Sequence, residues 1–124
     1  MTLFRNMPRD GDRPLQGPKG LHIRRGVDVA QTDDDDEVTP DGKGLSTAPG
    51  SPLLLPAWRR PHSLGGTSPD PMWSIRREQL PAHELTSRYD NERHETVLPS
   101  TPTTLSTYEA SLRGTVDEWT LTHE

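Results

Sequence analysis

Apolar positions in this chain come in short runs cut off by Pro or Gly, without the sustained 3.6-residue periodicity of a long helix. Thr2 to Asn6 reads as a first strand, with Leu3 and Arg5 on one face and Phe4 on the other, and Pro8 ends it. Leu21, Ile23, Val27 and Val29 alternate roughly with polar residues around Gly26, which predicts an irregular strand. Thr39-Pro40-Asp41-Gly42 is a turn signal that delivers the chain into a short buried strand at Gly44 to Ala48. Four prolines between Pro49 and Pro61 then leave Leu53-Leu54-Leu55 and Trp58 in a segment too interrupted to stay regular for more than a turn.

Met72-Trp73-Ser74-Ile75 is rich in β-formers and predicts another strand, closed by Leu80-Pro81. Leu85 to Tyr89 is ambiguous between helix and strand. His94, Thr96 and Leu98 alternate with Glu95 and Val97, so a strand there has two faces with different roles. The pattern turns helical once, at Ser106-Thr107-Tyr108-Glu109, an S-x-x-E capping box, with Gly114 as the stop and Tyr108 and Leu112 on one face. Val116, Trp119 and Leu121 then extend that helix or dock beside it. Strands, one short helix and many irregular loops define an α+β domain.

Length bounds this to a single domain, because 124 residues hold only one core. It spans residues 1–124, with an acidic loop at 31–43 and a C-terminal helix and tail at 104–124. Leu, Ile, Val and Phe make up only 22 residues, which raises the alternative of a largely disordered chain. Against disorder stand a net charge of only -5 and three Trp, two Tyr and one Phe able to bury large areas. The absence of Cys excludes disulfides, thiolate ligands and a cysteine nucleophile. There is no apolar run long enough for a secretory signal or a membrane span, so a cytoplasmic location is expected, and mild acidity disfavours nucleic acid.

Few residue patterns carry chemistry. Asp33-Asp34-Asp35-Asp36-Glu37 lacks the alternation and bend glycine of a calcium loop and reads as a solvated turn. The five His lack metal-ligand spacing, so no metal is expected, and neither a G-x-S-x-G elbow nor a phosphate loop is present. Arg5 is more informative. A guanidinium on a strand in a small core must meet an anion or escape to solvent, so it either pairs with an acid or grips a phosphate. Ser46 and Thr47 either satisfy backbone groups or line a sugar pocket. His94 and Glu95 are strand neighbours and point to opposite faces, so only one can line a given pocket, and His94 is preferred as a ribose-hydroxyl partner.

Taken in order, Leu3-Phe4-Arg5, Gly44-Leu45-Ser46-Thr47, Asp70 to Ile75 with Leu80-Pro81, His94 to Pro99 and Tyr108 to Leu112 resemble small bacterial toxins of the ADP-ribosyltransferase-like fold. More narrowly, they resemble a type VI secretion effector family with an Arg strand, a Thr-Ser strand and a late H-x-x-[IV]-x-P segment. The resemblance implies a split, bent β-sheet domain that takes NAD as substrate in a cleft between two small sheets. It implies that Arg5 holds the cofactor's phosphate or ribose and that Ser46 and Thr47 shape the nicotinamide-ribose pocket. His94, or less readily Glu95, takes the third position. It further implies an unidentified macromolecular acceptor, or water in its place, delivery into another cell and a neutralising immunity protein. The alternative is a non-catalytic interaction module presenting Trp58, Trp73, Trp119 and the pairs Arg24-Arg25, Arg59-Arg60 and Arg76-Arg77.

Overall fold

Ten strands and one α-helix follow from these patterns, in a computed structural model that describes residues 1–17 and 19–124. In chain order they are β1 (Thr2–Asn6), β2 (Arg9–Asp10), β3 (Arg13–Pro14), β4 (Glu37–Val38), β5 (Leu45–Pro49), β6 (Met72–Arg76), β7 (Leu85–Asn91), β8 (His94–Pro99), β9 (Thr103–Thr104), α1 (Leu105–Gly114) and β10 (Thr120–His123). Single 3₁₀ turns fill the proline-rich connections. The result is an α+β domain of antiparallel strands with little helix.

Six strands form one antiparallel sheet in the order β10-β6-β1-β5-β8-β7, while β2-β3 and β4-β9 make two small ribbons. The sheet is uneven. β1 and β6 pair over five residues, from Thr2 opposite Arg76 to Asn6 opposite Met72, whereas β1 and β5 pair only at Leu3–Pro49 and Phe4–Ala48. The front of β5 pairs with β8 instead, through Leu45–Val97, Ser46–Thr96 and Thr47–Glu95. β5 thus serves one half of the sheet with its first residues and the other half with its last, and between Arg5 and Ser46 the two halves fork.

One face of the sheet carries the core. Leu3, Trp73, Ile75, Leu45 and Val97 point there and pack with Leu105, Tyr108 and Leu112 of α1. Tyr108 fixes the helix to the sheet: its buried hydroxyl donates to Val97 O and accepts from Leu45 N at 3.0 Å. Burial pushes that phenol well above its ordinary range, so it stays a donor at every working pH. Gly44 is required just before β5, since a Cβ there would lie 2.5 Å from Val97 O and 2.6 Å from the Tyr108 hydroxyl.

Several expectations change. Leu21 to Val29 forms no strand beyond a single bridge between Arg25 and Val29, yet Leu21, Ile23 and Val29 are buried, so their alternation records burial without pairing. The ambiguous Leu85 segment is β7, half of a hairpin with β8. α1 begins one residue before the proposed box: Thr104 is the cap, its hydroxyl accepting from Thr107 N at 3.2 Å, and Glu109 turns inward to Arg25. The tail after α1 becomes β10 and covers the sheet edge beside β6. In the acidic run, Asp36 accepts from the backbone of Thr32 and Asp33 and closes a turn, and Asp34 meets Arg25.

Candidate functional site

At the fork lies an open cleft of about 1120 Å³. Its floor is Arg5 from β1 and Ser46 from β5. One wall is the proline-rich segment, with Leu53, Leu54 and Trp58, and the opposite wall is the β7–β8 turn with Asn91, Arg93 and His94. Asn6 ties the first wall to β1, since its Nδ2 donates to Asp70 O at 2.8 Å and its Oδ1 accepts from Ser68 Oγ at 3.0 Å. Ser68 N in turn donates to Arg60 O at 2.9 Å, which joins that stretch to the proline-rich wall, and the prolines leave the wall little chain entropy to lose on folding.

Arg5 spans the fork. Its Nη1 donates to Ser46 O at 2.9 Å and its Nη2 to Gly20 O at 3.2 Å, while its buried Nε has no partner. Among the described residues no carboxylate pairs with it directly, and Asp28 acts on it only through its charge. Burial, with nearby Arg59 and Arg24 adding to it, lowers its pKa to about 10, so the guanidinium is still charged at neutral pH. Around it the lining is cationic, with Lys19, Arg59, Arg60 and Arg93, although the whole chain is acidic. Of the nearby acids, Asp28 is already claimed: its Oδ2 accepts from Arg24 N at 2.6 Å and its Oδ1 from Arg24 Nη2 at 3.1 Å. At the mouth Trp58 is 63% exposed, with the Arg59 guanidinium 4.5 Å above its ring.

Strand register sorts the candidates of β5 and β8 by face. Ser46, Thr96 and His94 share one face of β5 and β8, and His94 Nε2 lies 3.0 Å from Ser46 Oγ. Thr47 and Glu95 occupy the other face. Thr47 also lines the cleft, but it is buried and its hydroxyl already donates to Glu95 O at 2.8 Å, which ties the strand pair together. Glu95 is fully buried on the core side, where it accepts from Arg77 Nε at 2.7 Å, Arg77 Nη2 at 2.5 Å and Ser87 Oγ at 2.5 Å. Burial raises the Glu95 pKa, but the bonds from Arg77 and Ser87 outweigh it and leave the carboxyl below its ordinary range. Arg5, Ser46, Thr47 and His94 line one hollow, with the Thr47 hydroxyl engaged by Glu95 O, and Glu95 does not line it.

Asp90, which the sequence reading passed over, completes this face. His94 Nδ1 lies 2.7 Å from Asp90 Oδ2, which also accepts from Thr96 Oγ1 at 2.6 Å, and Arg88 Nε donates to Oδ1 at 2.7 Å. The available signal was Asp90 four residues before His94 across an Asn-Glu-Arg turn, a spacing that places both on one face of a hairpin. Trp73 and Trp119 are buried in the core, which leaves Trp58 as the one exposed tryptophan. Of the arginine pairs, Arg25 is held by Glu109 and Asp34 and Arg77 by Glu95.

No family model, curated protein or solved structure matches this chain. Among the described residues, no group of three or more His, Cys, Asp or Glu is placed to hold a metal ion, and no helix is long and apolar enough to cross a membrane.

Proposed function

We propose that the fork cleft binds NAD and cleaves it between nicotinamide and ribose. The observation that carries this reading is the Arg5 guanidinium on the floor of a cationic hollow that also holds a hydroxyl and an imidazole. Pyrophosphate needs fixed positive charge, the ribose needs hydrogen-bond partners, and a flat base gains from an exposed indole at the mouth. The hollow exceeds the roughly 300 to 1,000 Å³ of ordinary small-ligand sites, which suits an elongated dinucleotide.

As nicotinamide leaves, positive charge builds on the ribose, and the task of the site is to hold the pyrophosphate still while a nucleophile arrives. Ser46 and His94 are the residues able to hold the ribose. Glu95, the carboxylate that would steady that charge for transfer to a macromolecule, is sealed on the far face with Arg77, and this favours water as the acceptor. On this reading the chain is a toxin-like domain that depletes NAD, and a neutralising immunity protein would act by filling the hollow. The test is calorimetric titration with NAD together with assay of nicotinamide release, for the wild type, Arg5→Ala and Ser46→Ala, and growth arrest on expression that the same substitutions relieve.

A second reading has one observation in its favour. Trp58 and Leu53, 63% and 60% exposed, stand together with Arg59 at the mouth, as a partner-binding patch would. A folded protein that neither binds nor cleaves NAD favours this interaction module.

A further inference from the structure

We infer that Ser46 is a nucleophile, with His94 as its general base and Asp90 as the residue that positions that base, and that the centre accepts the acyl group of a carboxylic ester bearing an anionic substituent. The proposal goes beyond NAD cleavage, since it requires no nucleotide. Its basis is an unbroken chain of contacts, Ser46 Oγ to His94 Nε2 at 3.0 Å and His94 Nδ1 to Asp90 Oδ2 at 2.7 Å. A carboxylate on Nδ1 keeps the proton on that nitrogen, which leaves Nε2 free to take the proton of the serine hydroxyl. Merely holding a sugar hydroxyl demands no such order. Activating an alcohol does.

Backbone register maintains the order. Ser46 faces Thr96 across β5 and β8, Thr96 faces Arg88 across β8 and β7, and both Thr96 and Arg88 bind the Asp90 carboxylate. Asp90 therefore keeps its orientation without help from His94. Burial raises the Asp90 pKa, but the bonds from Thr96, Arg88 and His94 outweigh it and hold the value down to about 2, so the carboxylate is charged across the working range. The His94 side chain remains 41% exposed, and both it and Ser46 line the cleft, so a substrate reaches the hydroxyl without any strained elbow.

The walls indicate the substrate class. Leu53 and Leu54 offer an apolar side, and Lys19, Arg59 and Arg93 offer positive charge for a carboxylate or phosphate on the ester. In the first step Ser46 Oγ bonds to the carbonyl carbon while its proton passes to His94 Nε2, and the oxyanion develops inside the cationic lining. The carbon–oxygen bond to the alcohol then breaks, and the departing alcohol takes the proton from His94. Water, deprotonated by the same nitrogen, attacks acyl-Ser46, and the acid leaves as the proton returns to Oγ. Ester and water become acid and alcohol, and nothing is oxidised or reduced.

The experiment treats the full chain with a fluorophosphonate and, separately, with the p-nitrophenyl esters of acetic acid and of succinic acid. One phosphonyl group located on Ser46 by peptide mass spectrometry is expected, with faster turnover of the anionic succinyl ester. Ser46→Ala abolishes labelling, and His94→Gln slows it by about a hundredfold, the usual scale of general-base catalysis. Asp90→Asn slows it by about tenfold or more and shifts the pH–rate profile, which a purely structural role would not do. Circular dichroism confirms that each variant is folded, and Ser46→Cys adds an independent readout, a thiol alkylated by iodoacetamide faster than free cysteine. A folded wild type left unlabelled at Ser46, or labelled at a rate indifferent to His94→Gln, overturns the proposal. Because the probe carries no nucleotide, loss of NAD binding alone brings down the NAD reading and leaves this one standing.

Discussion

Two neighbouring residues of one strand, His94 and Glu95, head two networks built from similar parts with opposite outcomes. On the core face a carboxylate, an arginine and a serine, Glu95, Arg77 and Ser87, close on one another, with the carboxylate fully buried. On the cleft face a carboxylate, an arginine and a serine are also present, Asp90, Arg88 and Ser46, but an imidazole stands between acid and alcohol and remains open to the hollow. The difference is who binds whom. Glu95 exhausts its partners in an ion pair that joins β8 to the turn after β6, whereas Asp90 orients an imidazole whose far nitrogen meets the Ser46 hydroxyl in the cleft. The first network closes on itself inside the fold, and the second is the one that the proposed chemistry uses.

Breaking the closed network should give the largest loss of stability. Arg77→Ala strands a fully buried carboxylate with only Ser87 beside it, and removing one partner of a buried pair typically costs about 3 to 5 kcal/mol. Urea unfolding should show a loss of at least about 2 kcal/mol, while NAD binding per folded molecule is unchanged. A loss within the scatter of surface substitutions would show that the two networks do not differ as described.

Tyr108→Phe comes next. It removes the bond to Val97 O and leaves the Leu45 N–H without that partner, for an expected loss of about 1 to 3 kcal/mol by the same measurement. Because Leu45 precedes Ser46, this variant should also disturb the floor of the cleft, which Arg77→Ala should not.

Acid titration separates the networks more finely. The Asp90 carboxyl sits at about 2 in the folded chain against an ordinary 3.8, so its contribution to stability is complete above the ordinary value and is lost as the pH falls toward 2. Asp90→Asn lacks that contribution, and its unfolding midpoint should lie below that of the wild type at pH 6 and converge with it as acid is added. Parallel curves at every pH would show that Asp90 is not held by its three donors. The smallest effect on stability is expected for Ser46→Ala, under about 1 kcal/mol for a half-exposed hydroxyl, with the loss falling on cleft chemistry instead.

Period-two patterning made β1 and β8 legible and placed His94 and Glu95 on opposite faces, while the turn at Thr39 to Gly42 announced β5 and β-forming residues announced β6. It could not tell which of the Ser46 and Thr47 hydroxyls meets His94, because that depends on the pairing of β5 with β8, a tertiary fact. Leu21, Ile23 and Val29 misled for a related reason: apolar alternation reports burial, and here the burial is supplied by packing without a strand partner. Asp90 was hard to place for want of a known turn register: its spacing from His94 across Asn91-Glu92-Arg93 is a signal only once Leu85 to Asn91 is known to be a strand. The fork itself depends on where β1 and β5 stop pairing, which no local pattern encodes.

The central claim is that the fork between β1 and β5 is a dinucleotide site floored by Arg5 and Ser46. Calorimetric titration of the folded wild type with NAD, run beside an assay for free nicotinamide, tests it most directly. Saturable binding at one site per chain with release of nicotinamide, both lost in Ser46→Ala and Arg5→Ala variants that keep their circular dichroism, is the predicted result. A folded wild type that shows neither heat of binding nor nicotinamide contradicts it.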